Sequence, residues 1–205
     1  MNIAIFASGR GSNIQAILGA IDTGLLPARI TVLISNKSDA GALDIARVRK
    51  IQTSHLSQKM FPSEEAFVEA MLNVLAQQKA DLLVLAGYLK KIPLQVIRRY
   101  RNRIVNIHPA LLPLFGGPGM YGHFVHEAVI ASGVKVSGAT VHLVDEEYDR
   151  GPIVMQKTVE IIQEDTPELL AAKVLKIEHE IFPVALKAFA EGKIIIEGRK
   201  VWIMS

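Results

Sequence analysis

The feature that most constrains the fold is an alternation of short apolar runs and amphipathic stretches through residue 108. Apolar runs predict strands at residues 2–7, 30–34, 51–55, 81–86 and 103–108. Apolar residues at helical spacing predict helices at 14–21, 39–49, 63–78 and 93–101. Strands that alternate with helices of about 10–15 residues indicate βαβ units and a mostly parallel sheet. Continuous apolar strands fit a sheet whose two faces are both covered by helices.

The pattern changes after residue 109. A Gly- and Pro-rich loop at 113–122 precedes a short helix that ends near 131. Further elements are predicted as strands at 134–144 and 153–159, a helix at 166–190 that Pro183 bends, and a hairpin of 194–196 with 201–203. We therefore predict an α/β fold with a mostly parallel twisted sheet, a Rossmann-like N-terminal half and antiparallel additions in the C-terminal half. The absence of repeats and linkers predicts a single domain over residues 1–205.

Composition excludes several classes of protein. Half of the 205 residues are hydrophobic, which excludes a disordered chain, and the absence of Cys excludes a disulfide scaffold and a Cys nucleophile. The net charge of +3 is scattered, which disfavours nucleic acid as a partner and suits an anionic small molecule. No apolar run reaches the roughly 18–20 residues of a membrane span, and no signal peptide is recognisable. We expect a cytoplasmic protein with no membrane partner.

A glycine loop lies between the first strand and the first helix. The sequence Gly9-Arg-Gly-Ser-Asn13 lacks the third Gly of a dinucleotide fingerprint, because Ile14 occupies that position. A glycine turn that leads into a helix N-terminus can bind an anion through backbone N–H groups, and the side chains of Ser12 and Asn13 add donors. The alternative is that the glycines only form a tight turn and that Ser12 only caps the helix.

Two polar side chains share one face of an apolar strand. Asn106 and His108 are two residues apart, so both point to the same side of the strand near its carboxyl end. Open α/β sheets bind ligands at that end of their strands. Asn can donate to a developing oxyanion, and His can act as an acid or base near neutral pH. The alternative is a buried Asn–His pair whose polar atoms are satisfied by loop backbone.

An acidic turn and a second histidine complete the candidate residues. The strand at 136–144 carries His142 and leads into Asp145-Glu-Glu-Tyr-Asp149. Most such turns are solvated surface, but one carboxylate could reach a histidine and raise its pKa. No His, Asp or Glu pair has the helical spacing of a metal site, so no metal is expected. The absence of a Gly-x-Ser-x-Gly elbow disfavours a serine hydrolase.

Together these segments resemble a known family. Its motifs occur in order as Ser8-Gly-Arg-Gly-Ser-Asn13, Ala86-Gly-Tyr-Leu89, Asn106-Ile-His-Pro-Ala-Leu-Leu-Pro113, Ser137-Gly-Ala-Thr-Val-His-Leu-Val144 and Asp149-Arg-Gly-Pro-Ile153. The chain resembles, over nearly its whole length, the phosphoribosylglycinamide formyltransferases, the folate-dependent enzymes of purine synthesis. The resemblance implies a formyltransferase-like fold, with a ribonucleotide-binding half at about 1–100 and a folate-binding and catalytic half at about 101–205.

The resemblance also implies the site residues. The catalytic group would be Asn106, His108 and Asp149, with His142 orienting Asp149. The substrate phosphate and ribose would be bound by Gly11, Ser12, Asn13 and Glu178. The folate would contact Leu89, Lys90, Lys91, Ile92, Asn106, Asp145, Glu146, Glu147, Tyr148 and Asp149. No metal takes part.

The implied reaction is transfer of a formyl group from 10-formyltetrahydrofolate, the co-substrate, to the amine of 5'-phosphoribosylglycinamide. Asn106 and a protonated His108 would stabilise the oxyanion, and Asp149 would keep His108 charged. The enzyme would be a monomer or a homodimer. Departures from the family pattern are Glu64, Lys91 and a long glycine-rich loop at 116–122. The alternatives are a formyl-folate hydrolase, a methionyl-tRNA formyltransferase, which would need an added RNA-binding domain, and a non-catalytic nucleotide-binding module.

Overall fold

A computed structural model describes residues 1–204, which form nine strands and six α-helices. The strands are β1 (Asn2–Phe6), β2 (Arg29–Ser35), β3 (Gln52–His55), β4 (Leu82–Leu85), β5 (Ile104–His108), β6 (Val136–Leu143), β7 (Ile153–Glu160), β8 (Ile194–Glu197) and β9 (Lys200–Ile203). The helices are α1 (Ser12–Asp22), α2 (Gly41–Val48), α3 (Glu64–Gln77), α4 (Leu94–Arg99), α5 (His123–Ser132) and α6 (Pro167–Ala190). The strands belong to one mixed sheet in the order β3-β2-β1-β4-β5-β6-β7-β9-β8. The predicted fold class is confirmed.

The chain divides into two compact units, Met1–Val105 and the residues from Asn106 onward. In the first unit, β1 pairs in parallel with both β2 and β4, and β2 pairs in parallel with β3. All four residues of β4 are buried, as expected for a strand covered on both faces. Parallel strands need long crossover connections, which α1, α2 and α3 supply.

Helix boundaries in the first unit follow local chemistry. The Ser63 side chain accepts a hydrogen bond from the Ala66 backbone N–H at 3.2 Å and so caps α3. Pro93 is the N-cap of α4, so this helix begins one residue later than predicted. A single 3₁₀ turn at Gln58–Met60 was not predicted, because three residues carry no periodic signal.

The second unit contains the antiparallel additions. β6 pairs antiparallel with β7, and β8 pairs antiparallel with β9 in the predicted terminal hairpin. Thr166 caps α6 by accepting from the Leu169 N–H at 3.3 Å, and Pro167 occupies its first turn. The helix continues through Pro183, which is buried. Among residues 1–204, no helix is both long and apolar enough to cross a membrane.

Candidate active site

Asn106 and His108 lie on β5, and His142 lies on β6. The His108 and His142 side chains are almost completely buried, with residue exposures of 3% and 1%. Buried imidazoles require hydrogen-bond partners, since an unpaired buried polar group is costly. Their partners therefore determine what chemistry each ring can perform.

Asn106 and His142 are joined directly. The Asn106 Nδ2 atom lies 3.0 Å from His142 Nε2, and His142 Nδ1 lies 2.9 Å from the Leu143 carbonyl oxygen. An amide nitrogen can only donate and a carbonyl can only accept, so both contacts are satisfied by a neutral His142 with its proton on Nδ1. Burial lowers the pKa of His142, which favours the same neutral form. The ring thus fixes the direction in which the Asn106 amide points.

His108 has a different pair of partners. Its Nε2 atom lies 2.8 Å from the Phe115 carbonyl oxygen, and its Nδ1 atom lies 3.7 Å from Asp149 Oδ2. A neutral ring that donates to Phe115 presents an unprotonated Nδ1 to the carboxylate, whereas a charged ring satisfies both partners.

Burial lowers the pKa of His108, and the opposing effects of Asp149 and the Phe115 bond are smaller. Desolvation therefore opposes the predicted charging of His108 by Asp149, because burial has the larger effect on its pKa.

Asp149 lies between the two histidines in an uncommon backbone conformation. Its φ of 53° is in the left-handed region, and its Oδ1 atom lies 3.6 Å from His142 Nε2. Its Oδ2 atom accepts a hydrogen bond from the Gly117 N–H at 2.9 Å. A Cβ on Gly116 would lie 2.5 Å from Leu112 Cδ2 and 3.0 Å from Asp149 Cβ, so a larger residue there would require Leu112 to move. The glycine-rich loop is thereby held against the carboxylate.

The glycine loop of the first unit is formed by backbone rather than by side chains. Gly11 is the N-cap of α1, with φ of 90° and ψ of 25°, and no side chain caps the helix. The alternative that Ser12 only caps the helix is therefore wrong; Ser12 is the first residue of the helix. A Cβ on Gly11 would lie 2.9 Å from Ile45 Cδ1 and 3.0 Å from the Ala42 Cα atom. The first backbone N–H groups of α1 have no preceding helical carbonyl to bind, which leaves donors for an anion.

The segment predicted to contact folate in the first unit follows β4. Leu89, Lys90 and Lys91 are exposed, whereas Ile92 is buried. The Leu89 N–H donates to Ser8 Oγ at 2.9 Å, and the Ser8 hydroxyl donates to Asn36 Oδ1 at 2.5 Å. Ser8 therefore connects the start of the glycine loop to this segment. Glu64, one of the departures, is the first residue of α3.

The remaining predicted residues lie in the second unit. Glu178 is buried on α6. In the acidic turn, Glu146, Glu147 and Tyr148 are exposed, and Asp145 Oδ1 accepts from the Glu147 N–H at 3.0 Å. The last carboxylate of the turn, Asp149, lies within 4 Å of both His108 and His142. Across the same residues, no group of three or more His, Asp or Glu side chains is arranged to hold a metal ion.

Phe115 is the functional neighbour that sequence reasoning missed. Its contribution is a carbonyl oxygen, which every residue carries, so its side chain gives no signal. Its φ of 54° places this non-Gly residue in the left-handed region. The adjoining Gly116-Gly117 pair was the available signal, since it marks a segment where backbone approaches closely.

Comparisons with known proteins show the family to which the chain is similar. A family model described as formyl transferase matches residues 1–186. Phosphoribosylglycinamide formyltransferase from Escherichia coli (strain K12) is 33% identical over 203 residues, covering 99% of this chain and 93% of the relative. The crystal structure of glycinamide ribonucleotide transformylase 1 from Symbiobacterium toebii superposes with a TM-score of 0.94 at 39% identity, covering 100% of this chain and 94% of that one.

A plant relative is longer than this chain. The chloroplastic phosphoribosylglycinamide formyltransferase of Arabidopsis thaliana is 42% identical over 193 residues, which is 94% of this chain. The matched region spans 66% of that relative.

Proposed function

Because the chain belongs to the formyl transferase family, we propose that it transfers a formyl group from 10-formyltetrahydrofolate to the amine of 5'-phosphoribosylglycinamide. The observation that carries this proposal is the group of Asn106, His108, His142 and Asp149, in which both imidazoles are buried and the polar atoms are linked through contacts of 3.0–3.7 Å. The product would be formylglycinamide ribonucleotide, an intermediate of purine synthesis. The folate is a co-substrate, and the reaction needs no metal.

The chemistry requires an oxyanion binder and a path for one proton. The substrate amine attacks the formyl carbon, a C–N bond forms, and negative charge develops on the formyl oxygen. Collapse of this intermediate breaks the bond from the formyl carbon to N10 of the folate. The proton lost by the attacking amine passes to N10, so N10 leaves as a neutral amine and the product is tetrahydrofolate.

The residues divide these tasks. Asn106, oriented by His142, donates to the developing oxyanion, and preorganised donors of this kind are typically worth about 10²–10³-fold in rate. His108 donates its Nε2 proton to the same oxygen in place of the Phe115 carbonyl. The anion that forms in the reaction raises the pKa of His108, so the ring can become charged at the step that needs it. Asp149 stabilises that charge and relays the proton.

The binding residues complete the proposal. The turn at Gly11 and the side chains of Ser12 and Asn13 bind the phosphate, and Glu178 binds the ribose hydroxyls. Leu89 to Ile92 and the turn from Asp145 to Asp149 bind the pteridine. Support for the phosphate site is the left-handed Gly11 at the start of α1.

The test is a spectroscopic assay of formyl loss from 10-formyltetrahydrofolate with and without the ribonucleotide. Formyl loss that requires the ribonucleotide supports the transferase. Formyl loss in its absence would instead identify a hydrolase. No loss under either condition would contradict catalysis and leave a nucleotide-binding module.

Two finer properties stay predictions. We propose a cytoplasmic enzyme that is a monomer or a homodimer. Cell fractionation tests the first, and light scattering coupled to size-exclusion chromatography tests the second.

A further inference from the structure

The side-chain hydroxyl of Thr140, in the second unit, has all of its hydrogen-bonding positions occupied and has no role in the reaction described above. Thr140 lies on β6, two residues before His142, and is 0% exposed. Its Oγ1 atom donates to the Ala110 carbonyl at 2.6 Å and accepts from the Leu112 N–H at 3.1 Å. Gln156 Nε2 also donates to it, at 2.9 Å. One donor and two acceptor positions exhaust the capacity of a hydroxyl.

These bonds hold the backbone that leaves the catalytic strand. Ala110 follows His108 by two residues, and Leu112 precedes Phe115 by three. Since the Phe115 carbonyl accepts from His108 Nε2, both ends of the segment 108–115 converge on one imidazole. The Thr140 hydroxyl binds the middle of this segment. A shift in the middle of this segment would therefore move the His108 ring and the Phe115 carbonyl oxygen together.

Gln156 adds a second anchor from β7. Its Nε2 atom donates to the Leu112 carbonyl at 2.9 Å as well as to Thr140. Leu112 is therefore held at both its N–H and its carbonyl by side chains from two strands. Thr140 is completely buried whereas Gln156 is exposed, so we expect the threonine to contribute more.

We propose that Thr140, through its hydroxyl, is a positioning residue for His108 that sets the path of residues 110–115. The inference rests on the proposed function, because it assigns His108 to the transfer step. Thr140 touches neither substrate in this scheme and acts only through the backbone that it binds.

The hydroxyl can be separated from the shape of the side chain. Thr140→Val keeps the branched outline but leaves the buried Leu112 N–H and Ala110 carbonyl without this partner. Thr140→Ser keeps the hydroxyl and removes one methyl group. Thr158→Val is the matched control, since Thr158 is an exposed residue of β7.

Steady-state kinetics give the first test. We expect Thr140→Val to lower kcat by about 10–100-fold, because a displacement on the order of 1 Å costs up to about 100-fold in rate. The KM for the ribonucleotide should change by less than about twofold, since the groups assigned to bind it are not altered. Thr140→Ser should recover most of kcat, and Thr158→Val should match the wild type. An unchanged kcat in Thr140→Val, or an equal loss in Thr140→Ser, would overturn the proposal.

A readout that needs no turnover separates this inference from the proposed function. The ¹⁵N signals of the His108 ring, assigned by their absence in His108→Asn, should shift in Thr140→Val and not in Thr158→Val. Unshifted signals would overturn the inference even if the enzyme is a transferase. Shifted signals in a protein without transferase activity would support the positioning role and count against the proposed function alone.

A further variant guards against loss of folding. If Thr140→Val does not fold, Gln156→Leu tests the same anchor from an exposed position. It should shift the His108 ring signals from their wild-type positions and lower kcat by a smaller factor than the 10–100-fold expected for Thr140→Val. Unshifted signals together with wild-type kcat would contradict the proposal.

Discussion

The glycine loop of the first unit and the histidine cluster of the second present polar groups by opposite means. The loop uses backbone: Gly11 adopts φ of 90° against Ala42 and Ile45, and no side chain caps the helix that follows. The cluster uses side chains on separate strands and a turn, joined by contacts such as Asn106 to His142. The comparison teaches that a backbone site is vulnerable to an added Cβ, whereas a side-chain site is vulnerable to loss of a single polar atom.

The largest effect is expected in the cluster. His108→Asn should lower kcat by about 10²–10⁴-fold, the usual contribution of a general acid or base. Its control is His123→Asn, because His123 is an exposed residue of α5 that pairs with Glu127 at 2.8 Å. The measurement is kcat of the two purified variants at saturating concentrations of both substrates. Full turnover in His108→Asn would remove His108 from the catalytic group.

The second prediction concerns the glycine loop, which an added Cβ atom at Gly11 should disrupt. Gly11→Ala places a Cβ 2.9 Å from Ile45 Cδ1 at a φ that L residues rarely adopt. We expect a loss of about 1–3 kcal/mol in the free energy of unfolding and a raised KM for the ribonucleotide, with kcat less affected.

Gly24→Ala is the control for that variant, because Gly24 also has positive φ but no atom within 4 Å of a built Cβ. Denaturant titration and the KM separate crowding from backbone strain. Equal effects of the two substitutions would show that the crowding at Gly11 is immaterial.

Acid should distinguish the unit that contains the cluster from the unit that contains the loop, because burial lowers the pKa values of His108, His126, His142 and His179 in the second unit. For His126 the pKa falls from 6.5 to about 4. The unfolded chain then binds more protons than the folded one between these values, so stability is present above pH 6.5 and decreases as the pH falls toward 4. The His126 contribution is up to about 3 kcal/mol.

The corresponding measurement is urea unfolding at several pH values. His126→Phe should lose less stability than the wild type between pH 6.5 and pH 4, because the variant has no buried imidazole to protonate. His55→Phe, in β3 of the first unit, is the control. Parallel acid profiles for wild type and His126→Phe would contradict the assignment.

The smallest expected effect concerns the hydroxyl that serves the first unit. Ser8→Ala removes the bonds to Asn36 and to the Leu89 N–H. We expect a loss of about 1–3 kcal/mol in stability, toward the lower end because the site is partly solvated, and a raised KM for the folate. Ser57→Ala, which removes a hydroxyl that makes no capping bond, is the control. An unchanged folate KM in Ser8→Ala would separate Ser8 from the folate segment.

Particular residues show how far sequence reasoning reached. The period of two placed Asn106 and His108 on one face, and the motif order indicated the family, which the comparisons confirm. The contact between Asn106 and His142 was not anticipated, because residues 36 positions apart meet only through sheet pairing. The depressed pKa of His108 was not anticipated either, since the degree of burial follows from packing and not from neighbouring letters.

By itself the sequence determined the alternation of strands and helices, the glycine turn and the identities of the polar residues at the strand ends. These follow from local periodicity and backbone preference, which act over a few residues. Only the tertiary structure decided that the Phe115 carbonyl faces His108 and that Asp149 lies between two histidines. It also decided that Thr140 binds the segment that runs from His108 to Phe115. Such contacts join groups that are distant in the chain, and their geometry is set by strand register and burial. Local backbone preferences carry no information about either.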